Sequence, residues 1–338
     1  MSEQQTPAWR RLMPFIKLAL TVGLFVVLFE QGRLDLSALT VLYDSPGTIL
    51  AVLLFSLISY SAVGVRWVIL LHSQKIPLSY AWGHRVNYLG IFCNLVLPGG
   101  NMAGDAVRLA HALRAAPCHR LEAFLSLFVD RLIGLYAMLF IALLAIIVHP
   151  ELAMGSAPLR IMATGVVLIV IGAPVVAVLF YHLVGRLSGQ PWFGRLLQWG
   201  GVGRLLTRLI DIARLYRHAL PQLMLALTIS VVTQMLLLWG VVLIAMALAV
   251  GSLTPLEYAF ATPWAWMANF LPLTPGGIGV GEAAFDQLCR WIESAPSGAA
   301  YGTILLVYRI LTMLATLPGL VLFLFDRKGV QDAMRSAP

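Results

Sequence analysis

The chain has 338 residues, of which 60% are hydrophobic and 11% are charged. Soluble domains carry roughly 25% charged residues, so this composition excludes an ordinary soluble protein and indicates a chain that crosses a membrane several times. The formal net charge is +8, but the basic residues lie beside apolar runs, which favours contact with anionic lipid and not with nucleic acid.

Six apolar runs are long enough to cross about 30 Å of hydrocarbon, which takes roughly 17 to 25 helical residues. They fall near residues 14–30, 48–71, 119–148, 159–182, 220–249 and 299–325. The first run contains Lys17 and no cleavage site follows it, so we expect a retained helix and not a signal peptide. The distribution of Lys and Arg predicts a multi-pass protein of the cytoplasmic (inner) membrane with both termini in the cytoplasm.

Two Pro-Gly-Gly motifs interrupt the apolar sequence and repeat each other. The first reads LPGGNMAGDA from Leu97, and the second reads LTPGGIGVGEA from Leu273. If residues 80–113 crossed the membrane once, the basic residues that follow would lie outside the cell, against the positive-inside rule. We therefore predict a re-entrant hairpin over residues 80–113. A second re-entrant hairpin is predicted over residues 255–293. An eight-crossing topology, in which both hairpins span fully, is the alternative.

Each half then contains two spans, a hairpin and a third span, and three crossings invert the second half relative to the first. The predicted fold is an all-α polytopic membrane protein with six transmembrane helices plus two re-entrant helical hairpins, arranged as an inverted-topology repeat. The predicted segments are a cytoplasmic N-terminal arm (1–13), a first repeat (14–150), a second repeat (151–325) with an amphipathic cytoplasmic connector (184–219), and a cytoplasmic tail (326–338).

The two motifs also carry the candidate binding residues. A helix that begins inside a membrane exposes unpaired N–H groups and the positive end of its dipole, and glycines let an anion approach them closely. Placing an ionised arginine or carboxylate deep in a membrane span costs free energy, and such residues are usually functional. The candidate substrate-binding residues are Gly99, Gly100, Asn101, Gly104, Asp105, Asp130, Arg131, Gly276, Gly277, Gly281, Glu282 and Arg309. Tight helix packing by the glycines and purely structural ion pairs are the alternatives.

Local helix geometry gives expectations for individual polar residues. Asp130 and Arg131 are neighbours and point apart, so their partners must come from the hairpins or the opposite repeat. Arg66 is near the end of its span and is expected to reach the cytoplasmic interface, whereas Arg108 counts among the basic residues of a cytoplasmic loop. Asn94 and Asn269 precede the hairpin tips and are candidates for hydrogen bonds to a cavity or between helices.

With these residues, the chain resembles the flippase-like family typified by the transmembrane region of lysylphosphatidylglycerol synthases. LPGGNMAGDAVR and PLTPGGIGVGEAAF are similar to the two Pro-Gly-Gly signatures of that family, and VDRLIGL and VYRILTMLATLPG are similar to the helices that follow them. Ala103 stands where the family pattern has glycine, and Asp130 stands where it has glutamate. The resemblance extends over residues 14–325.

The resemblance implies a lipid transporter that moves an anionic phospholipid or a polyprenyl-phosphate-linked glycolipid headgroup between membrane leaflets. It does not imply aminoacylation, because the residues after Phe325 are too few for a transferase domain. We expect no enzyme activity, since no nucleophile lies beside a base in a recognisable spacing, and we expect no metal or other cofactor. The alternative is a non-transporting lipid-binding partner or regulator of an enzyme of bacterial envelope-lipid synthesis. The predicted partners are therefore membrane lipids with an anionic headgroup, with such an enzyme as a second candidate.

Overall fold

The computed structural model describes residues 22–23, 26–34, 40, 43–96, 101–154, 156–187, 203, 207, 210, 216, 219–269, 274, 277–293 and 298–326. These ranges contain helices and connections but no strand. The helices are α1 (Pro46–Ser73), α2 (Tyr80–Val96), α3 (Asn101–Ala115), α4 (Arg120–Val148), α5 (Glu151–Met154), α6 (Ala157–Leu187), α7 (Leu220–Leu248), α8 (Pro255–Ala268), α9 (Val280–Ile292), α10 (Tyr301–Leu314) and α11 (Leu317–Phe325).

Five helical stretches in the described ranges are long and apolar enough to cross a membrane. They are Pro46–Ser73, Arg120–Val148, Ala157–Val176, Leu220–Leu248 and Tyr301–Phe325. They correspond to the second to sixth predicted spans, so the prediction of an all-α polytopic membrane protein is confirmed. The first predicted span and the connector over 184–219 lie largely outside the described residues.

Prolines occupy the first turn of four helices, where the missing N–H would have no helical partner in any case. These prolines are Pro46, Pro221, Pro255 and Pro318. Helix α8 also has a capping box, in which the Thr254 N–H donates to Glu257 Oε2 at 2.6 Å. Pro318 divides the last predicted span into α10 and α11, because proline cannot continue the helical hydrogen-bond ladder.

Helix pairs form at the two Pro-Gly-Gly motifs. Helix α2 packs against α3, and α8 packs against α9. The longest of the four, α2, has 17 residues and spans about 26 Å at roughly 1.5 Å per residue, which is less than the ~30 Å of a hydrocarbon core. The tips at residues 97–100, 270–273 and 275–276 lie outside the described residues.

The two halves pack against each other in reciprocal pairs. Helix α1 lies along α7, and this is the most extensive contact between helices. Helix α4 packs against α8 of the second hairpin, and α11 packs against α2 of the first hairpin. Gly319 keeps the latter contact close, because a Cβ there would lie 2.4 Å from the Tyr88 carbonyl oxygen. Each hairpin therefore contacts a helix of the other half.

Candidate functional site

Five charged residues of the first half form one group, which we call the arginine cluster. Its members are Arg66 on α1, Asp105 and Arg108 on α3, and Asp130 and Arg131 on α4. Three positive charges face two negative charges when all five groups are ionised, which leaves a surplus of one positive charge. Because ionised groups are costly inside a membrane, an uncompensated positive charge at this place would be unfavourable.

The Asp130 carboxylate is fully buried and accepts hydrogen bonds from two arginines. Arg66 Nε lies 2.7 Å from Asp130 Oδ1, and Arg108 Nη2 lies 3.2 Å from Oδ2. Arg66 Nη1 also donates to Ser230 Oγ at 2.6 Å, which links the cluster to α7 in the second half. The Arg108 guanidinium lies 4.5 Å from the centroid of the Trp67 ring, a cation–π contact. Two guanidinium groups therefore compensate the cost of burying this carboxylate.

Arg131 points away from its neighbour Asp130 and pairs with Asp105 of the first hairpin. Its Nε lies 2.8 Å from Asp105 Oδ2, and its Nη2 contacts Oδ1, so the pairing is bidentate. The Arg131 side chain is 36% exposed and that of Asp105 is 25% exposed, against 6% or less for Arg66, Arg108 and Asp130. The Asp105–Arg131 pair is therefore the accessible part of the arginine cluster.

The second half repeats this pairing with Glu282 and Arg309. Arg309 Nε lies 2.5 Å from Glu282 Oε1. Arg309 Nη2 donates to Asn269 Oδ1 at 3.1 Å and to the Gly277 carbonyl oxygen at 3.3 Å. Glu282 Oε2 accepts from the Gly279 N–H at 2.8 Å. The pair has no net charge, and the Glu282 side chain is fully buried, so it is better satisfied internally than Asp105–Arg131.

A glycine in each hairpin lies against an asparagine of the other limb. A Cβ on Gly104 would lie 2.5 Å from Asn94 Oδ1, and a Cβ on Gly281 would lie 2.3 Å from Asn269 Oδ1. The Gly104 N–H donates to Asn94 Oδ1 at 2.6 Å. Asn94 thus makes a hydrogen bond between helices, one of the two predicted alternatives, whereas Asn269 accepts a hydrogen bond from Arg309 of α10 at 3.1 Å.

The predicted site residues separate into three sets. Asp105, Asp130 and Arg131 meet in the arginine cluster, with Gly104 beside them, and Gly277, Gly281, Glu282 and Arg309 meet in the second half. Asn101 begins α3. Gly99, Gly100 and Gly276 lie outside the described residues. Binding of substrate by any of these residues stays a prediction.

The sequence predictions for two arginines are wrong. Arg66 is 5% exposed and pairs with Asp130 instead of reaching the interface. Arg108 is 3% exposed and lies within α3, not in a basic loop. The sequence contained one indication that Arg108 pairs with a carboxylate. Arg108 follows Asp105 by three residues, so the two side chains share a helix face. No local pattern pairs Arg66 with a carboxylate 64 residues away.

A cavity of about 180 Å³ lies beside Arg309. It is lined by Trp266, Asn269, Leu305, Tyr308, Arg309 and Thr312. The Trp266 and Tyr308 rings lie 6.0 Å apart. The cavity therefore suits a small polar group that can contact a guanidinium, an amide and aromatic rings. Within the described residues, no three His, Cys, Asp or Glu side chains are grouped to hold a metal.

These features define a polytopic helical membrane protein in which each of two helix pairs presents a carboxylate to an arginine of a long helix. The chain belongs to the family described as the lysylphosphatidylglycerol synthase TM region, whose model matches residues 15–319. This match confirms the family indicated by the two Pro-Gly-Gly signatures. No curated protein and no solved structure matches the chain at a significant level.

Proposed function

We propose that this protein is a flippase-like lipid transporter that moves an anionic phospholipid or a polyprenyl-phosphate-linked glycolipid headgroup between leaflets. The family supports this proposal, because the matched region is the membrane part of synthases of lysylphosphatidylglycerol, a lipid whose headgroup contains a phosphate. The observation that carries it is the surplus positive charge of the arginine cluster, combined with the exposure of Arg131. An anionic headgroup at Arg131 would leave the cluster without net charge.

The contacts of Asp105 explain how a headgroup would enter. A guanidinium fork matches a phosphate as well as a carboxylate, so a phosphate can replace Asp105 on Arg131. Asp105 would keep a partner, because Arg108 Nη1 lies 3.7 Å from Asp105 Oδ1. Asp130 would keep both Arg66 and Arg108. Exchange of one internal carboxylate for the headgroup therefore leaves no buried charge alone.

We further infer that the two halves form an inverted repeat with two re-entrant hairpins. The matching pairs support this, since Asp105 and Arg131 are 26 residues apart and Glu282 and Arg309 are 27 apart. The reciprocal packing of each hairpin on the other half and the shortness of its limbs are further support. In this proposal the headgroup moves between Arg131 and the cavity beside Arg309 by alternating access, while the lipid tails stay in the bilayer. Both chain termini face the cytoplasm.

A second function is favoured by the size of the cavity beside Arg309. A volume of about 180 Å³ suits part of a headgroup better than a whole glycolipid headgroup. A protein that binds lipid without carrying it across would need no more room. It would then act as a partner or regulator of an enzyme of envelope-lipid synthesis.

Reconstituted liposomes distinguish the two functions. The purified protein is reconstituted with fluorescent anionic, zwitterionic or polyprenyl-phosphate lipids, and the fraction protected from a membrane-impermeant quencher is followed with time. We expect selective movement of anionic lipid and a loss of roughly tenfold or more in Arg131→Ala, because a charged hydrogen bond contributes about 1.5 to 3 kcal/mol. Arg160→Ala removes an exposed arginine of α6 and is the matched control, with movement equal to wild type.

Two outcomes would contradict the proposal in different ways. Folded wild-type protein that moves no lipid of the panel would refute transport and favour the partner function. Movement that is unselective and unchanged in Arg131→Ala would refute the arginine cluster as the headgroup site.

A further inference from the structure

The cavity beside Arg309 presents aromatic rings, an amide and a hydroxyl on its walls. The Trp266 and Tyr308 rings lie 6.0 Å apart, with 31° between their planes. Asn269 Oδ1 accepts a hydrogen bond from Arg309, so the NH2 group of the same amide supplies two donors. Thr312 Oγ1 donates to the Arg309 carbonyl oxygen at 3.0 Å, so its lone pairs can accept. The cavity therefore has an apolar side and a side that both donates and accepts hydrogen bonds.

A phosphate does not suit this cavity, although an arginine lines it. Arg309 Nε lies 2.5 Å from Glu282 Oε1, and Glu282 is fully buried. In the described part of the chain, no second cation pairs with Glu282. Asp105 differs, because it still has Arg108 when it leaves Arg131. An anion on Arg309 would leave a buried carboxylate without a cation, which is strongly destabilising.

A cation does not suit the cavity either. An ammonium group over the Trp266 or Tyr308 ring would lie in the same cavity as the Arg309 guanidinium, and two positive charges so close repel each other. The described residues of the lining include no carboxylate that could offset the added charge. Glu282 already compensates Arg309. The lining therefore favours a ligand without charge.

A sugar ring has the chemistry that matches this lining. One face of the ring presents C–H groups, which can pack on aromatic side chains, and its edge carries hydroxyls that both donate and accept. A cavity of about 150 Å³ in another protein holds a benzene ring. The cavity beside Arg309, with about 180 Å³, therefore has room for one six-membered sugar ring.

Aromatic side chains continue from the cavity towards the first hairpin. Tyr60 on α1 interacts with Tyr308 and hydrogen-bonds to Thr312. The Tyr60 ring lies 6.2 Å from the ring of Tyr88 on α2, in an edge-to-face arrangement. The same kind of surface, aromatic rings with hydroxyls, thus extends from the second half of the protein to the first.

We propose that the cavity beside Arg309 is a sugar subsite. Trp266 and Tyr308 pack against one face of a neutral sugar ring, and Asn269 and Thr312 form hydrogen bonds with its hydroxyls. That the sugar is carried by a lipid rests on the proposed transport function. Of the two lipid classes named there, the subsite selects the polyprenyl-phosphate-linked glycolipid, whose phosphate would bind at the arginine cluster.

Native mass spectrometry of the purified full-length protein tests the subsite by binding alone. The probes are polyprenyl phosphate without a sugar and the same lipid carrying glucose, mannose or N-acetylglucosamine. We expect at least one glycosylated lipid to bind roughly tenfold more tightly than the lipid without a sugar, because the ring adds hydrogen bonds and aromatic contacts.

Variants assign this preference to the cavity. Trp266→Leu removes an aromatic ring, and Thr312→Val removes a hydroxyl at nearly constant volume. Each should reduce the preference for the glycosylated lipid by roughly two- to tenfold and leave binding of the lipid without a sugar unchanged. Trp239→Leu removes a 51% exposed tryptophan of α7 and is the matched control, with the wild-type preference. Arg131→Ala should weaken both lipids equally, because it acts on the phosphate.

The methyl glycoside of the preferred sugar distinguishes a soluble sugar from a lipid-linked one. It has the ring but neither phosphate nor tail, so we expect it to bind at least about a hundredfold more weakly than the glycolipid. A methyl glycoside that binds as tightly as the glycolipid would overturn the lipid as the source of the sugar.

Equal binding of all four lipids by the wild type overturns the subsite. A preference that is undiminished in Thr312→Val and in Trp266→Leu also overturns it, and Thr312→Val alone decides if Trp266→Leu does not fold. Binding is measured without lipid movement, so the two proposals fail separately. A sugar preference in a protein that moves no lipid supports the subsite and refutes the transporter, whereas transport by a protein without a sugar preference refutes the subsite alone.

Discussion

Arg66→Ala tests how much the buried charges of the arginine cluster stabilise the fold. The substitution removes the nearer of the two arginines on Asp130, at 2.7 Å against 3.2 Å for Arg108. It also removes the hydrogen bond to Ser230 on α7. Breaking a buried ion pair by removing one partner destabilises a protein by about 3 to 5 kcal/mol, because a buried charge loses its compensation. Since Arg108 still contacts the carboxylate, we expect a loss of about 3 kcal/mol in the free energy of unfolding.

A double-mutant cycle isolates the contribution of the pair. Asp130→Asn removes the negative charge, so Arg66→Ala should cost much less in that background than in the wild type. We expect a coupling energy of about 2 to 3 kcal/mol, measured by reversible unfolding in mixed micelles with circular dichroism as the readout. Arg160→Ala removes an exposed arginine of α6 and should change the free energy of unfolding by less than about 0.5 kcal/mol.

Additive effects of the two substitutions would refute this reasoning. So would a loss for Arg66→Ala no larger than the loss for Arg160→Ala. Either result would mean that water reaches the Asp130 carboxylate and solvates it in place of the guanidinium.

Three further substitutions have expected outcomes. Gly104→Ala would put a Cβ 2.1 Å from the Gly90 carbonyl oxygen, so we expect a loss of about 1 to 3 kcal/mol in unfolding free energy and reduced lipid movement. Gly172→Ala, where a Cβ meets nothing within 4 Å, is its control, and equal losses in both would contradict the close packing. Thr254→Ala removes the α8 capping box and should lower the free energy of unfolding by about 1 kcal/mol. An unchanged free energy of unfolding would show that the cap does not stabilise the protein. Arg309→Lys keeps the charge but loses the bidentate fork, so liposome assays should show slower lipid movement, and a wild-type rate would mean that charge alone suffices.

The limits of the first hairpin can be predicted from local sequence. Pro98 cannot continue a helix, and the two glycines that follow it favour a turn. The predicted hairpin over residues 80–113 accordingly begins and ends within two residues of the outer ends of α2 and α3, Tyr80 and Ala115. The separation of Arg131 from Asp130 is predictable for a similar reason, because it follows from the geometry of a single helix.

The partners of the buried charges are not predictable in this way. Whether Arg66 reaches the interface or stays buried depends on a carboxylate of α4 and a hydroxyl of α7, and a single sequence does not reveal how close those helices come. The positive-inside rule counts Arg108 as a loop charge and takes no account of the direction of its side chain, which here faces the other helices. A contact between His111 and Asp326 joins residues 215 positions apart, so the same reason applies to it.

The buried pair of Arg66 and Asp130 has a consequence for biosynthesis. Arg66 enters the bilayer with α1, and its partner follows 64 residues later in α4. Until then this pair is incomplete, and Arg66, near the end of its span, costs less on insertion than the roughly 2.5 to 3.5 kcal/mol of an arginine at the centre, which the apolar residues of α1 can offset. Asp130 carries a similar cost when α4 inserts, so the two helices gain by associating as they leave the translocon. Ser230 is made later, with α7, so the pairing of Arg66 with Asp130 is available to the first half before the second half is made.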